Sequence, residues 1–509
     1  MNSPAHIPAA LLLAACSACA LAQEPAAKPL DWKGLEAPLL TDHIQLTSRD
    51  MFVKAGEAYF DHSSPPKWVI FQAVAVPEAG KEADPFYSMY VARLTWRGER
   101  LSGIEKPIKI SPEGSANTCG WFDPTNASHV IFGSTLTRPG ETQRPGFQVG
   151  TRKYVWMFPH EMEVVSRTVP EIYYAINRDA PQPRWGPDAT AAKPLFTRAN
   201  YDAECSYSKD GRFVLYAHVR DELTRGKDDA DIWIFDTQTG AQHEIVHADG
   251  YDGGPFFSPD GKRICYRSDR VGNDLLQLFV ADLKFEAGVP VGIEREIQVT
   301  KNEHVNWAPF WHASGKFLIY GTSEIAHSNY EVFAVEVPAA GAPDTPVEKL
   351  RKRRITWANG ADVLPVFSDD GKYMMWTAQR GPKVEGEEKP SSQVWVATFE
   401  SKIIERFDEA FGFDAGTLDH DQALARMRTY LKDKGLSEGR FGDLRIEPIR
   451  QGWRGSYGRN VPDGEHTVFA LHDGRVFEVS MYPATPWSKE ARQLLDERPL
   501  KDSAPKPGR

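Results

Sequence analysis

The sequence predicts an all-β chain built as a six-bladed β-propeller, and two repeated signals carry that prediction. A short apolar strand recurs six times, as Val69-Ile70-Phe71, Val130-Ile131-Phe132, Val214-Leu215-Tyr216, Ile264-Cys265-Tyr266, Leu318-Ile319-Tyr320 and Met374-Met375-Trp376. Each copy is followed by a partner strand: Met89-Tyr90-Val91, Ile172-Tyr173-Tyr174, Ile232-Trp233-Ile234, Leu278-Phe279-Val280, Val332-Phe333-Ala334 and Val394-Trp395-Val396. A small sheet cannot bury both faces alone, so self-similarity at this period marks a stacked repeat architecture.

The connecting elements follow in order. Asp210-Gly211, Asp260-Gly261, Ser314-Gly315 and Asp370-Gly371 stand before four of the apolar strands and suit two-residue hairpins, whose central positions need positive φ. Blades 1 and 2 carry degenerate turns at Ser63-Ser64-Pro65-Pro66 and Thr125-Asn126. Outer strands are expected at His43–Thr47, Pro107–Ile110, Lys193–Phe196, His243–Val246, Glu296–Thr300 and Val347–Leu350. The first of these precedes any inner strand, and the last blade, ending near Phe399, has none after it. Residues 43–47 should therefore pair with 393–399 and hide the open edges of the ring. The propeller spans about 43–400.

Residues 1–22 read as a secretory signal, with an apolar stretch from Ala9 to Ala22 ending Ala20-Leu21-Ala22, and 23–42 as a linker. The competing reading is a lipoprotein box, Leu13-Ala14-Ala15-Cys16, which would put a lipid on Cys16 and anchor the chain to a membrane. Soluble export to the periplasm is the preferred reading, because an apolar run persists after Cys16. No other stretch is long and apolar enough to span a bilayer. The net charge of −10 excludes a basic stripe, so nucleic acid and anionic membrane are poor partners. The one basic cluster, Lys349 and Arg351–Arg354, reads as edge protection. Cys265 occupies a core position of the repeat; Cys119 and Cys205 read as equivalent inner positions too far apart for a disulfide, and their spacing fits no zinc pattern.

After Glu400 the period is lost. Asp419–Lys434 reads as an amphipathic helix, strands follow near 444–449 and 467–481, and Ser488–Leu495 closes a small α+β domain over 401–500, with a tail at 501–509. Arg454-Gly455-Ser456-Tyr457-Gly458 lacks the glycine that a nucleophile elbow needs two residues before its serine. His160-Glu161-Met162-Glu163-Val164 lacks the second histidine of a metalloprotease helix.

Gly254-Pro255-Phe256-Phe257-Ser258-Pro259-Asp260-Gly261-Lys262, with Ile264 and Tyr266, resembles the repeat of TolB-type propellers, over about 43–400. That resemblance implies a six-bladed domain of an exported bacterial protein, an envelope location and a protein-binding role; TolB itself partners a peptidoglycan-associated lipoprotein. Two departures separate this chain from it: the α/β domain that TolB carries before its propeller is absent, and an extra segment follows. The same repeat occurs in propellers of serine peptidases and of sugar-acid lyases.

Aligned on the repeat, Asp202, Asp252, Asn306 and Asp362 start the inner strands, with Glu204 adjacent. Converging carboxylates at the channel mouth would favour a cation, an amine or a basic peptide. The competing reading is that they cap the turn entering each strand. The long blade 2 loop, 135–170, offers Arg152, Tyr154 and Trp156, either as a binding element or as packing on the blade. His304 and His312 flank one inner strand and give no convergent histidine set. The functional expectation is a non-enzymatic binding or scaffold protein of the envelope, without a cofactor, recognising a protein or glycan through its top face. The alternative is a carbohydrate-active lyase or hydrolase using channel acids with a divalent cation.

Overall fold

The computed structural model describes residues 31–140, 159–400 and 420–479, apart from 38, 180–182, 388, 443, 450–451, 459–465 and 472–475. The chain is mostly β. Helix α1 (Trp32–Glu36) leads into strand β1 (Leu40–Gln45). Sheet 1 holds β2 (Phe52–Phe60), β3 (Trp68–Ala75), β4 (Ser88–Arg97), β5 (Arg100–Ile104) and β6 (Ile108–Lys109). Sheet 2 holds β7 (Asn117–Asp123), β8 (Asn126–Ser134), β9 (Glu163–Thr168) and β10 (Lys193–Pro194); α2 (Pro170–Ile176) and α3 (Pro187–Thr190) lie between the last two. Sheet 3 runs β11 (Asp202–Tyr207), β12 (Phe213–Thr224), β13 (Lys227–Asp236) and β14 (Gln242–Val246). Sheet 4 runs β15 (Asp252–Phe257), β16 (Arg263–Ser268), β17 (Gln277–Glu286) and β18 (Val289–Gln298). Sheet 5 runs β19 (Asn306–Trp311), β20 (Phe317–Ala326), β21 (Asn329–Glu336) and β22 (Lys352–Arg354). Sheet 6 runs β23 (Asp362–Phe367), β24 (Tyr373–Ala378) and β25 (Gln393–Phe399), with β1 as its fourth strand.

The inner strands touch in the order β2, β7, β11, β15, β19, β23 and back to β2, so the six sheets close a ring. Their middle strands are continuous apolar runs because neighbouring sheets cover both faces. Val214, Leu215, Tyr216 and Ala217, for example, are all fully buried. The ring is spliced by β1, which pairs antiparallel with β25 through Ile44 opposite Val396 and Gln45 opposite Trp395. Leu46 N extends the ladder to Val394 O at 2.8 Å, and Thr47 Oγ1 donates to Gln393 Oε1 at 2.8 Å.

Several local expectations are corrected. The Asx-Gly turns are four-residue loops. Ser208 N bonds to Phe213 O, and only the glycine takes positive φ, 74° at Gly211. The acidic residue works through its carboxylate: Asp210 Oδ1 accepts from Ser208 Oγ and Arg212 N, and the pattern repeats at Ser258/Asp260 and Ser368/Asp370. The third strand of sheet 2 is β9, whereas Ile172-Tyr173-Tyr174 lie in α2. Pro170 cannot donate to a ladder and presets the first helical turn. Val347–Lys349 form a 3-10 turn, and the outer strand is the basic segment β22. The segment expected as a linker carries α1 and the start of β1.

A separate four-stranded sheet follows: β26 (Arg445–Ile449), β27 (Gly452–Tyr457), β28 (His466–Leu471) and β29 (Val476–Val479). Helix α4 (His420–Asp433) packs on it through Ala423, Met427 and Leu431, and the short α5 (Glu438–Phe441) adds Phe441. Ser456 sits within β27, flanked by strands on both sides, which is no geometry for a nucleophile. The expected helix at 488–495, the signal at 1–22 and the tail lie outside the described residues.

Candidate functional site

Every inner strand breaks its register at the same point, and the residue there takes a left-handed backbone. These residues are Glu57, Cys119, Glu204, Gly254, Ala308 and Leu364, with φ between 45° and 59°. A bulge re-aims a side chain, and those of sheets 1, 2 and 3 form a buried polar cluster. Glu204 crosses to sheet 4, accepting from Tyr251 Oη at 2.7 Å, Gly254 N at 2.5 Å and Arg267 Nη2 at 3.0 Å. Glu57 accepts from Cys119 Sγ at 2.8 Å and from Thr118 Oγ1 at 3.2 Å. Burial first, and Glu204 in part, push the Glu57 carboxyl up, against the bond from Cys119 and the Arg267 charge. Burial beside the two carboxylates pushes the Cys119 thiol well above its usual range, so it remains an unreactive thiol. Cys119 and Cys205 are not equivalent: Cys119 is the bulge residue, whereas Cys205 follows one and points its thiol at Cys119 O, 3.6 Å away. Cys119, Cys205 and Cys265 are free and buried.

The predicted mouth residues lie two positions before the bulge, and the structure places them inside their sheets. Asp202, Asp252, Asn306 and Asp362 are each no more than 1% exposed. Asp202 Oδ1 pairs with His218 Nδ1 at 2.9 Å and Asp252 Oδ1 with Arg270 Nη2 at 3.0 Å. Asn306 donates to Gln277 Oε1 at 3.1 Å and accepts from Thr322 Oγ1 at 3.1 Å; Asp362 accepts from Trp376 Nε1 and Arg380 Nε, both at 3.1 Å. They hold strands together rather than forming an open electrostatic mouth. Among the described acidic candidates, the Glu204 carboxylate alone leaves its own sheet, reaching sheet 4. Arg152, Tyr154, Trp156 and Cys16 lie outside the described residues. His312 stacks on Phe317 at 4.4 Å, its imidazole pushed down to about 4 by burial.

Among the described residues, Asp231, Glu244 and His247 have metal-ligand spacing. The Arg220 guanidinium bonds both carboxylates, however, and occupies the place a cation would take. Within the basic cluster, Arg351 pairs with Glu336, Lys352 with Glu324 and Arg354 with Glu331, at 2.7, 2.8 and 2.7 Å.

The loops between second and third strands share one face of the ring. Leu223 and Val271, both 63% exposed, stand on this face in adjacent sheets; Val76 and Val384 are exposed on the corresponding loops of sheets 1 and 6. The two loops are fastened together: Arg225 Nη2 donates to Arg270 O at 3.0 Å, and Lys227 pairs with Asp274. Gly272 packs so closely that a Cβ there would lie 2.2 Å from Arg225 Nη1. Repeat alignment could not single out these tips, because residues beyond the apolar strand cores do not repeat.

No family model matches the chain. It is 27% identical over 156 residues to the Tol-Pal system protein TolB of Wolinella succinogenes, covering 30% of this chain and 32% of that protein. The matches span about a third of the length of such curated relatives. Among solved structures, a putative TolB from Agrobacterium tumefaciens aligns with a TM-score of 0.38 and 13% identity over 68% of this chain and 90% of that one. An oligogalacturonate lyase in complex with manganese aligns with a TM-score of 0.38 and 11% identity over 71% and 93%. The chain is TolB-like in sequence over the matched segment.

Proposed function

We propose that this chain is a six-bladed TolB-type propeller followed by a small α+β domain. In this reading it is exported to the bacterial envelope by its apolar N-terminus and acts there as a non-enzymatic binding protein for a protein partner. The observation that carries the reading is the pair Leu223 and Val271, two exposed aliphatic side chains, one near the tip of the β12–β13 hairpin and one in the loop after β16, on segments fastened to each other. Exposed apolar groups on a pre-organised support are what a protein interface buries. Aliphatic tips favour a protein over a glycan, which is gripped by flat aromatic faces and dense polar groups. The similarity to TolB over part of the chain agrees with a binding role.

The test is co-purification of the tagged chain after crosslinking in intact cells, compared with a Leu223→Asp, Val271→Asp double variant. Both sites are exposed, so the variant should fold with an unchanged melting temperature and lose the copurifying protein. An unchanged partner profile in the folded variant would refute this face as the binding surface.

A further inference from the structure

Sheets 2 to 6 each carry one transverse row of three residues at the end where the second-to-third-strand loops emerge. The rows are Asn117–Ser134–Glu163 in sheet 2, Asp202–His218–Asp231 in sheet 3 and Asp252–Ser268–Gln277 in sheet 4. Sheets 5 and 6 continue with Asn306–Thr322–Glu331 and Asp362–Ala378–Gln393. The last residue of one row faces the first residue of the next sheet's row, which makes a polar seam between sheets. The seam of sheets 4 and 5 is uncharged, with Asn306 Nδ2 donating to Gln277 Oε1 at 3.1 Å.

Three seams oppose two acids. Asp231 and Asp252, between sheets 3 and 4, repel each other, and arginines compensate: Arg220 on the first and Arg270 on the second at 3.0 Å. Glu331 and Asp362, between sheets 5 and 6, are compensated by Arg354 and Arg380. The third seam sets Glu163 of sheet 2 against Asp202 of sheet 3, and among the described residues no guanidinium bonds either carboxylate. Arg198 feels the charge of Asp202 but spends its Nη1 on Tyr216 Oη at 2.9 Å and Gln242 Oε1 at 3.2 Å, over the Trp233 ring. Glu163 Oε2 and Asp202 Oδ2 are both buried without a hydrogen-bond partner. Asp252 Oδ2 shares that state, but its Oδ1 holds Arg270.

Glu163 as a whole is half-buried, but its Oε2 and Asp202 Oδ2 are shut from water, and two anions facing each other there need a compensating charge. We propose that Glu163 and Asp202 share a single proton where the other acid seams use arginine, making the joint between sheets 2 and 3 a pH-sensitive element of the ring. Burial and the Asp202 charge push the Glu163 carboxyl up to about 7, against a bond from the Arg198 backbone N–H; Asp202 is also raised by burial, against His218. His218 and Arg198 are the other charged or titratable groups facing the pair. The folded state holds the proton more tightly than the unfolded chain. The stability gained from it is therefore complete below the ordinary carboxylate range and is lost as pH rises from about 4.5 to about 7. The joint lies at the root of the sheet 2 loop, where Asp202 N donates to Met162 O at 2.8 Å beside the start of β9.

The experiment is a melting-temperature profile from pH 5 to pH 8.5 in EDTA for the parent, Glu163→Gln and Glu163→Asp. Glutamine keeps the volume and removes the charge. E163Q should match the parent at pH 5 and melt several degrees above it at pH 8, whereas E163D should keep the parent's pH dependence. Carbon-detected NMR of the labelled glutamates should show one resonance titrating near pH 7 that is absent from E163Q. E163Q melting at or below the parent at pH 8, or no such resonance, would overturn the shared proton. A pH dependence that vanishes when calcium is added would also overturn it, assigning the pair to a metal ion.

Discussion

Replacing Glu36 by alanine should loosen the splice that closes the ring. The Glu36 side chain is fully buried, and its two oxygens take four bonds: Arg380 Nη1 at 3.0 Å, Arg380 Nη2 at 2.8 Å, His43 Nε2 at 2.6 Å and Trp357 N at 2.8 Å. These tie α1 to β1, to sheet 6 and to the segment entering it. Arg380 also packs over Trp32, with its charge 4.4 Å from the ring centroid. Breaking a buried ion pair by removing one partner costs about 3–5 kcal/mol. Asp362 still holds Arg380 in the variant, which places the cost near the lower figure. With about 2.1 cal/mol/K of unfolding entropy per residue over roughly 370 residues, that is a melting temperature lower by about 4 °C. Differential scanning calorimetry at pH 7 measures it. The pH dependence follows from the same bonds. Burial works hardest against the charged form, yet His43, Arg380 and the Trp357 amide together hold the Glu36 carboxyl below its usual range. This stabilisation is thus present above about pH 4.5 and lost as pH falls through the folded value. A Glu36→Gln variant should approach the parent in acid and fall behind it at neutral pH. An E36A melt within 1 °C of the parent at pH 7 would refute the lock.

Other expectations are as direct. Converting Asp202, Asp252 and Asp362 together to Asn should lower the melting temperature by more than the Glu36 change, since it strips carboxylates from His218, Arg270 and Arg380; a calorimetric scan showing parental stability would contradict their structural role. Deleting residues 24–50 should yield aggregated protein by size-exclusion chromatography, because β25 loses its partner β1; a monomer with an unchanged melt would rule out the splice. Gly254→Ala should cost about 1–3 kcal/mol in urea unfolding, because φ is +59° and the new methyl would lie 2.3 Å from Nη1 of Arg267, whose Nη2 grips Glu204. Alkylation followed by mass mapping should leave Cys119, Cys205 and Cys265 unmodified until the protein is denatured, all three thiols being raised by burial; labelling of the native chain would contradict this.

What could be read from the residues follows from what repeats. The middle strands were legible because two-sided burial demands unbroken apolar runs, and the splice was legible because an outer strand was left over. Ile172-Tyr173-Tyr174 misled, since an aromatic run is ambiguous without weighing Pro170 just before it. Asp202, Asp252, Asn306 and Asp362 begin their inner strands where the repeat places them, but the direction of a side chain is not written in the repeat. A single left-handed residue sends Glu204 inward and leaves Asp202 within its sheet, and alignment cannot register that turn. Glu36 stood in an apparent linker because its partners Trp357 and Arg380 lie 321 and 344 residues away. Val271 belongs to a loop and Leu223 to the far end of β12, beyond the repeated apolar run, where the period carries no information.

Photo-crosslinking in living cells shows whether a protein partner sits on the face carrying the second-to-third-strand loops. A photoreactive residue is placed at Leu223 or Val271, and at Phe285 in the hairpin between the third and fourth strands of sheet 4 as the control, all three being exposed. A partner on this face gives a discrete protein adduct of one identity from positions 223 and 271 and none from 285. Adducts from 285 with none from 223 or 271 would contradict it.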